Sequence, residues 1–313
     1  MASIKINPKE APLRSVLPIL LADRTTGKNI IFATESYRAK GDDYGARSPI
    51  TEEALLFPSG DCFIQPRVLK ERGEQATRTR AKGEVFTPAW ICCLMNNHCD
   101  EVWFERPDVF NTMDGQTWKT TDKFVEFPDG KDWRDYVDSR RLEITCGEAP
   151  FVVSRYDMAT GEIIPIENRI GILDRKLRIV SENEPMEDEW RRWAVRAFQS
   201  VYGYEYQGDN LFVARANLLL TYAEYLDSRW RRKPTAGELA EIAEIVSWNF
   251  WQMDGLTGTI PLGALEGTAQ TFMSFDDEPE EETETTSPPC RIRDWSKKKK
   301  IIEFTSLKNK RGL

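Results

Sequence analysis

Residues 142–153, LEITCGEAPFVV, read as a β-strand that runs into a tight turn and then a helix. A turn of this kind at a strand end lets backbone amides converge on a bound group, and it relies on small residues to do so. Gly147 is its one glycine. Glu148, Ala149 and Pro150 stand where small flexible residues are expected, and only Pro150 suits a first helical turn without difficulty.

Downstream, a turn at 158–162 (MATGE) and the run NRIGILDRKLRIV lead to WRRWAVRAFQSV at 190–201, which has helical apolar spacing, and then to a short strand, YGYEY. Residues 210–230 predict a long helix with Asp209 available as its cap. Residues 235–247 predict another, opened by a Thr235/Glu238 capping box. WNFWQMDGLTGTIP at 248–261 reads as a strand entering a turn. Upstream, Thr87 can cap and Pro88 can begin a helix over AWICCLMNNHCDEVW. Strands alternating with helices from Leu142 onward predict an α/β fold with a mainly parallel sheet. Four regions follow: an irregular α+β segment over 1–80, a core over 81–272, an acidic linker over 273–286, and a tail over 287–313 with two short strands around a lysine turn.

The 313 residues can bury a sizeable core; 40% hydrophobic and 30% charged residues exclude a collagen-like or wholly disordered chain. No apolar run is long enough to cross a bilayer, and MASIKINPKE lacks the apolar region of a signal peptide, so no membrane partner and a cytoplasmic location are expected. Six irregularly spaced cysteines suit reduced thiols. His98 lies between Cys93 and Cys99, but the spacing fits no zinc template, and no metal is expected. The net charge of −8 does not draw a polyanion, so nucleic acid would need a local basic surface. Basic runs at 67–82, with Arg78, Arg80 and Lys82, at 229–233 and at 297–300 are the candidates.

Four blocks occur in order: GEVFTP (83–88), LEITCGEAPF (142–151), YGYEYQGDNLFVARANLLL (202–220) and WQMDGLT (251–257). Together they resemble the S-adenosyl-L-methionine (SAM)-dependent adenine DNA methyltransferases of restriction-modification systems, including proteins labelled restriction endonuclease subunit M. The resemblance covers roughly the last three quarters of the chain and implies a Rossmann-like methyltransferase sheet with helices on both faces. It implies SAM as cofactor, with Thr87 and Pro88 near its methionine part. Glu143, Cys146 and Gly147 then form the cofactor turn, Glu205 binds the ribose hydroxyls, and Asp254 accepts from the adenine amino group beside Trp251 or Met253. The family turn reads L-D-P-x-C-G-S-G-x-F; this chain keeps Leu142, Cys146, Gly147 and Phe151 and has Glu143, Glu148 and Ala149 for the acid, the serine and the second glycine. Gly203, Ala214, Arg215, Asn217 and Leu218 fit the next block, and Gln207 replaces its second acid. On this reading, Glu205→Ala abolishes SAM binding with little loss of stability.

Methylating an adenine amine requires the base to be flipped out, stacked and hydrogen-bonded. The family does this with Asn/Asp/Ser-Pro-Pro-Tyr/Phe. Here SPPC at 287–290 supplies Ser287, Pro288 and Pro289 as catalytic candidates, with Cys290 in place of the aromatic ring. RIRDW after it resembles the segment that precedes the family's catalytic strand, which would make Ser-Pro-Pro a linker. Two functions follow from the resemblance. One is a SAM-dependent methyltransferase of double-stranded DNA in restriction-modification or phage counter-defence. The other is a catalytically incomplete subunit whose partner chain supplies catalysis or target recognition.

Overall fold

The computed structural model describes residues 4–55, 62–70, 87–263, 287–296 and 300–308. The chain runs through α1 (Leu17–Leu21), α2 (Glu52–Leu55), α3 (Ala89–Phe104), a hairpin of β1 (Asn111–Asp114) and β2 (Thr117–Thr120), and α4 (Trp133–Asp138). Then come β3 (Arg141–Glu143), α5 (Ile172–Asn183), α6 (Glu187–Gln199), β4 (Val201–Glu205), α7 (Gly208–Trp230), α8 (Ala236–Asn249) and β5 (Phe250–Gln252). β6 (Arg291–Asp294), β7 (Lys300–Glu303) and α9 (Thr305–Lys308) follow.

VYGYE is buried along its whole length, as a strand covered on both faces must be, and it is the middle of a three-stranded parallel sheet ordered β3-β4-β5. Leu142 lies opposite Tyr202, and Tyr204 opposite Trp251. The fold is therefore mixed α/β with a parallel core. No helix among the described residues is long and apolar enough to cross a membrane.

Local signals hold where both partners lie close in sequence. Thr235 Oγ1 accepts from Glu238 N at 3.3 Å and Glu238 Oε2 from Thr235 N at 2.7 Å, completing the capping box that opens α8. Hydrogen bonds from Arg232 hold the Glu238 carboxyl down to about 2. The tail forms the expected antiparallel hairpin, Arg291 opposite Glu303 and Asp294 opposite Lys300.

Three expectations differ. No helix follows the 142–153 stretch; the next α-helix is α5. Thr145, Gly147 and Ala149 sit at φ +50°, +53° and +65°, which interrupts any helix. The Phe151 and Val152 carbonyls instead accept from Ile172 N and Leu173 N, both at 2.9 Å, and so close the N-terminus of α5. Thr87 does not cap α3: the helix begins at Ala89, whose N–H donates to Asp157 Oδ2 at 2.7 Å. Asp209 lies inside the first turn of α7 rather than before it, and its Oδ2 accepts from Tyr37 Oη at 2.8 Å and Lys70 Nζ at 3.3 Å.

The N-terminal segment shares the core of the sheet. Ile6, Leu13, Phe32, Ile50 and Ile64 belong to the same cluster of buried apolar side chains as Tyr204, Leu218 and Trp251. Gly208 lets α7 come flush against it; a Cβ there would overlap the Ile31 carbonyl oxygen. Arg215 is fully buried and donates to the carbonyls of Leu20, Ala22, Ser247 and Phe250, so one side chain satisfies the ends of both α1 and α8. Burial pushes its guanidinium down to about 9.

Candidate functional site

Parallel strands end at the same edge, and the loops that leave that edge enclose a cavity of about 960 Å³. Thr87, Glu143, Cys146, Gly147 and Glu205 all line it, drawn from three separate parts of the chain. Cys146 N donates to Tyr204 O at 2.8 Å, which ties the loop after β3 to β4. Glu205, at the end of β4, accepts from Gly147 N at 2.9 Å through Oε2 and from Gln207 N at 3.1 Å through Oε1. Glu205 therefore holds the loop as well as facing the cavity. Glu205→Ala withdraws an acceptor from two backbone amides, so a cost in stability is expected beside the loss of SAM binding that the resemblance implies.

Glu143 is half-buried as a residue, but its carboxylate is enclosed. Oε1 accepts from Phe151 N at 3.4 Å, and Oε2 has no hydrogen-bond partner among the described residues. Burial pushes this carboxyl well above the usual range; amides of Phe151 and Val152 oppose the shift and nearby Glu205 adds to it. Burial, with Glu143 and Glu205 close by, also pushes the Cys146 thiol well up, which suits packing rather than nucleophilic attack.

Glu148 is turned into the protein. Oε1 accepts from Arg67 N at 2.6 Å and Oε2 from Tyr156 Oη at 2.7 Å; Asn217 Nδ2 donates to Tyr156 Oη at 3.1 Å and to Glu148 O at 3.3 Å. This acid joins the N-terminal segment, the loop after β3 and α7. Ala149 accepts the left-handed conformation with its Cβ fully buried.

The remaining predicted residues lie elsewhere. Pro88 sits at the start of α3 and is not among the cavity-lining residues. Asp254 closes a turn, its Oδ1 accepting from Leu256 N at 2.9 Å and Thr257 N at 3.3 Å. Trp251 and Met253 are buried, and the Trp251 ring packs against Tyr204 and Phe304. Ser287, Pro288 and Pro289 run beside that turn: Ile260 N donates to Pro288 O at 3.3 Å, and Pro289 bridges Thr259. None of these lines the cavity. Arg78, Arg80 and Lys82 lie outside the described residues, as does the acidic linker. Of the other basic runs, Arg232 pairs with Glu187 at 2.5 Å and Glu238 at 2.7 Å. Cys92 and Cys93 are buried in the core side of α3 while His98 is exposed, and among the described residues no cluster of three or more metal-ligating side chains occurs.

Several lining residues carry no mark in the sequence. Tyr206, Gln207 and Asn210 follow directly on the strand-end acid and could have been inferred from that position. Met95, Asn96 and Cys99 come from one face of α3, whereas Thr34 and Arg67 enter from the N-terminal segment with no local signal. Comparison of the chain with protein-family models, curated proteins and solved structures found no match.

Proposed function

We propose that the protein binds SAM and is of the adenine DNA methyltransferase type, with the Rossmann-like sheet of that fold and a role in restriction-modification or phage counter-defence. One observation carries the reading: Thr87, Glu143, Cys146, Gly147 and Glu205 line one cavity at the carboxyl edge of a parallel sheet, the position at which α/β folds hold nucleotide-like ligands. The volume is at the upper end of ordinary ligand pockets. The residues present fit the cofactor. Glu205 is the acceptor for the ribose hydroxyls, and the enclosed Oε2 of Glu143 is an acceptor for the ammonium of the amino-acid end. Bound SAM supplies an electrophilic methyl group; the chain's part is to orient it and keep water from its sulfonium.

Calorimetry with SAM on the full chain tests this. Micromolar affinity that Glu205→Gln weakens is expected, and absence of binding at millimolar SAM would remove the proposal. Sequencing of DNA from cells expressing the protein separates binding from catalysis, since an active enzyme leaves methylated adenine.

A second reading is favoured by the location of Ser287–Pro289 against the 254–260 turn, away from the cavity. The protein is then a cofactor-binding subunit whose partner chain brings the base-binding motif to double-stranded DNA. SAM binding without adenine methylation by the chain alone is the result that selects it.

A further inference from the structure

β3 is an edge strand, paired with β4 and with no other strand among the described residues. Arg141 N donates to Ser200 O at 3.0 Å, and the register continues through Leu142–Tyr202 and Glu143–Gly203. Peptide groups alternate in direction along a strand, so the N–H and C=O of Leu142 face away from β4. The other edge of the sheet is closed. Gln252 of β5 donates through Nε2 to Ile31 O and Tyr206 O, both at 2.8 Å, and accepts from Ile31 N at 2.9 Å. β5 is buried throughout, whereas Leu142 is 45% and Ile144 65% exposed.

The cavity runs along this open edge. Every residue from Arg141 to Glu148 lines it, faced by Met95, Asn96 and Cys99 of α3, and Met95 is itself half exposed. The groove thus has a strand edge for one wall and a helix for the other. Within it, Nε and Nη2 of Arg141 are enclosed and have no acceptor among the described residues. Edge strands of this kind are templates for strand addition unless charge, proline or a bulge blunts them. Arg141 and Glu143, two residues apart, share one face of the strand, and Nε and Nη2 of Arg141 with Oε2 of Glu143 are enclosed, so these atoms do not stand along the open edge.

We propose that the groove along β3 receives an extended strand of a different polypeptide, in which apolar residues alternate with an acidic one. Its main chain pairs with Leu142, its apolar side chains cover Leu142, Ile144 and Met95, and its carboxylate meets the Arg141 guanidinium. The groove is part of the cavity assigned above to SAM, and the docking of a strand there does not depend on that assignment.

The test uses the full chain and two labelled hexapeptides of alternating threonine and valine, one carrying a central glutamate and the other a lysine. Fluorescence anisotropy should show the glutamate peptide binding about tenfold or more tightly than the lysine peptide. Amide exchange at Leu142, fast in the free chain, should slow by about tenfold or more with the glutamate peptide. Arg141→Glu should reverse the preference. Leu142→Pro removes the outward N–H and the leucine side chain but no hydrogen bond to β4, so a variant folded by circular dichroism should lose peptide binding. Equal binding of the two peptides, no binding, or a Leu142 amide already protected in the free chain overturns the proposal. SAM calorimetry on the same preparation keeps the two readings apart, since failure of the peptides with SAM binding intact removes only the docking strand.

Discussion

Glu148→Ala tests whether the residue that departs most from the cofactor-turn pattern has become structural. The side chain is 8% exposed and accepts from Arg67 N and Tyr156 Oη, groups 81 and 8 residues away in sequence. Withdrawing an acceptor from a buried donor costs about 1–3 kcal/mol. The acid itself carries a burial penalty: burial raises its pKa, against hydrogen bonds from Tyr156 and Arg67 that lower it. Removing a group in that state returns part of the loss, so the net cost is about 3 kcal/mol at pH 7, a large share of a typical domain's stability. Glu148→Gln keeps an acceptor for Arg67 N and offers Nε2 to Tyr156 Oη, which can accept, so about 1 kcal/mol is expected. Because the folded-state pKa is raised above the unfolded value of 4.5, the acid's contribution is most favourable below pH 4.5 and declines as pH rises through the folded pKa. The glutamine variant lacks that decline. Urea unfolding at pH 5 and pH 7 measures both effects, and limited proteolysis should find the first 70 residues cleaved faster in the alanine variant. An alanine variant within about 0.5 kcal/mol of wild type would refute the assignment.

Other outcomes follow from the same geometry. Glu143→Gln should become more stabilising relative to wild type as pH rises above 4.5, by up to about 1.4 kcal/mol per unit, until the raised folded pKa is passed; a pH-independent difference in urea midpoints would contradict the upward shift that burial gives this acid. Since a cationic ligand favours the ionised form of that acid, SAM affinity should rise with pH over the same window and flatten in Glu143→Gln, which calorimetry in buffers of different pH can read. Gly208→Ala, despite alanine's better helix propensity, should lower stability by about 2 kcal/mol or more because its Cβ meets the Ile31 carbonyl; an unchanged thermal midpoint would deny the close contact of α7 with the N-terminal segment. A thiol reagent should label one of the six cysteines quickly in the native chain, Cys99, since the other five are buried and burial raises Cys62 to about 12 and Cys93 to about 11. Mass spectrometry of a second rapidly labelled site would contradict this burial.

Sequence by itself determined the pieces whose causes are local. The Thr235/Glu238 box joins residues three apart, the tail hairpin follows from alternation, and β4 with its terminal Glu205 follows from a short apolar strand ending in an acid. Once strands ending at Glu143 and Glu205 are taken as parallel neighbours, their carboxyl ends must share an edge, which is why Glu143, Cys146, Gly147 and Glu205 meet in one cavity. Tertiary structure decided the rest. The cap of α3 comes from Asp157, 68 residues beyond it; the acceptor for Arg67 N is Glu148, 81 residues on; and Arg215 reaches Leu20 O across 195 residues. Thr145, Gly147 and Ala149 could have continued toward a helix, but distant partners claimed the peptide groups on either side. Strand order is of the same kind. A strand's own residues state that it needs neighbours, while only the packed chain settles which edge is closed by Gln252 and which, at Leu142, is left with peptide groups facing outward.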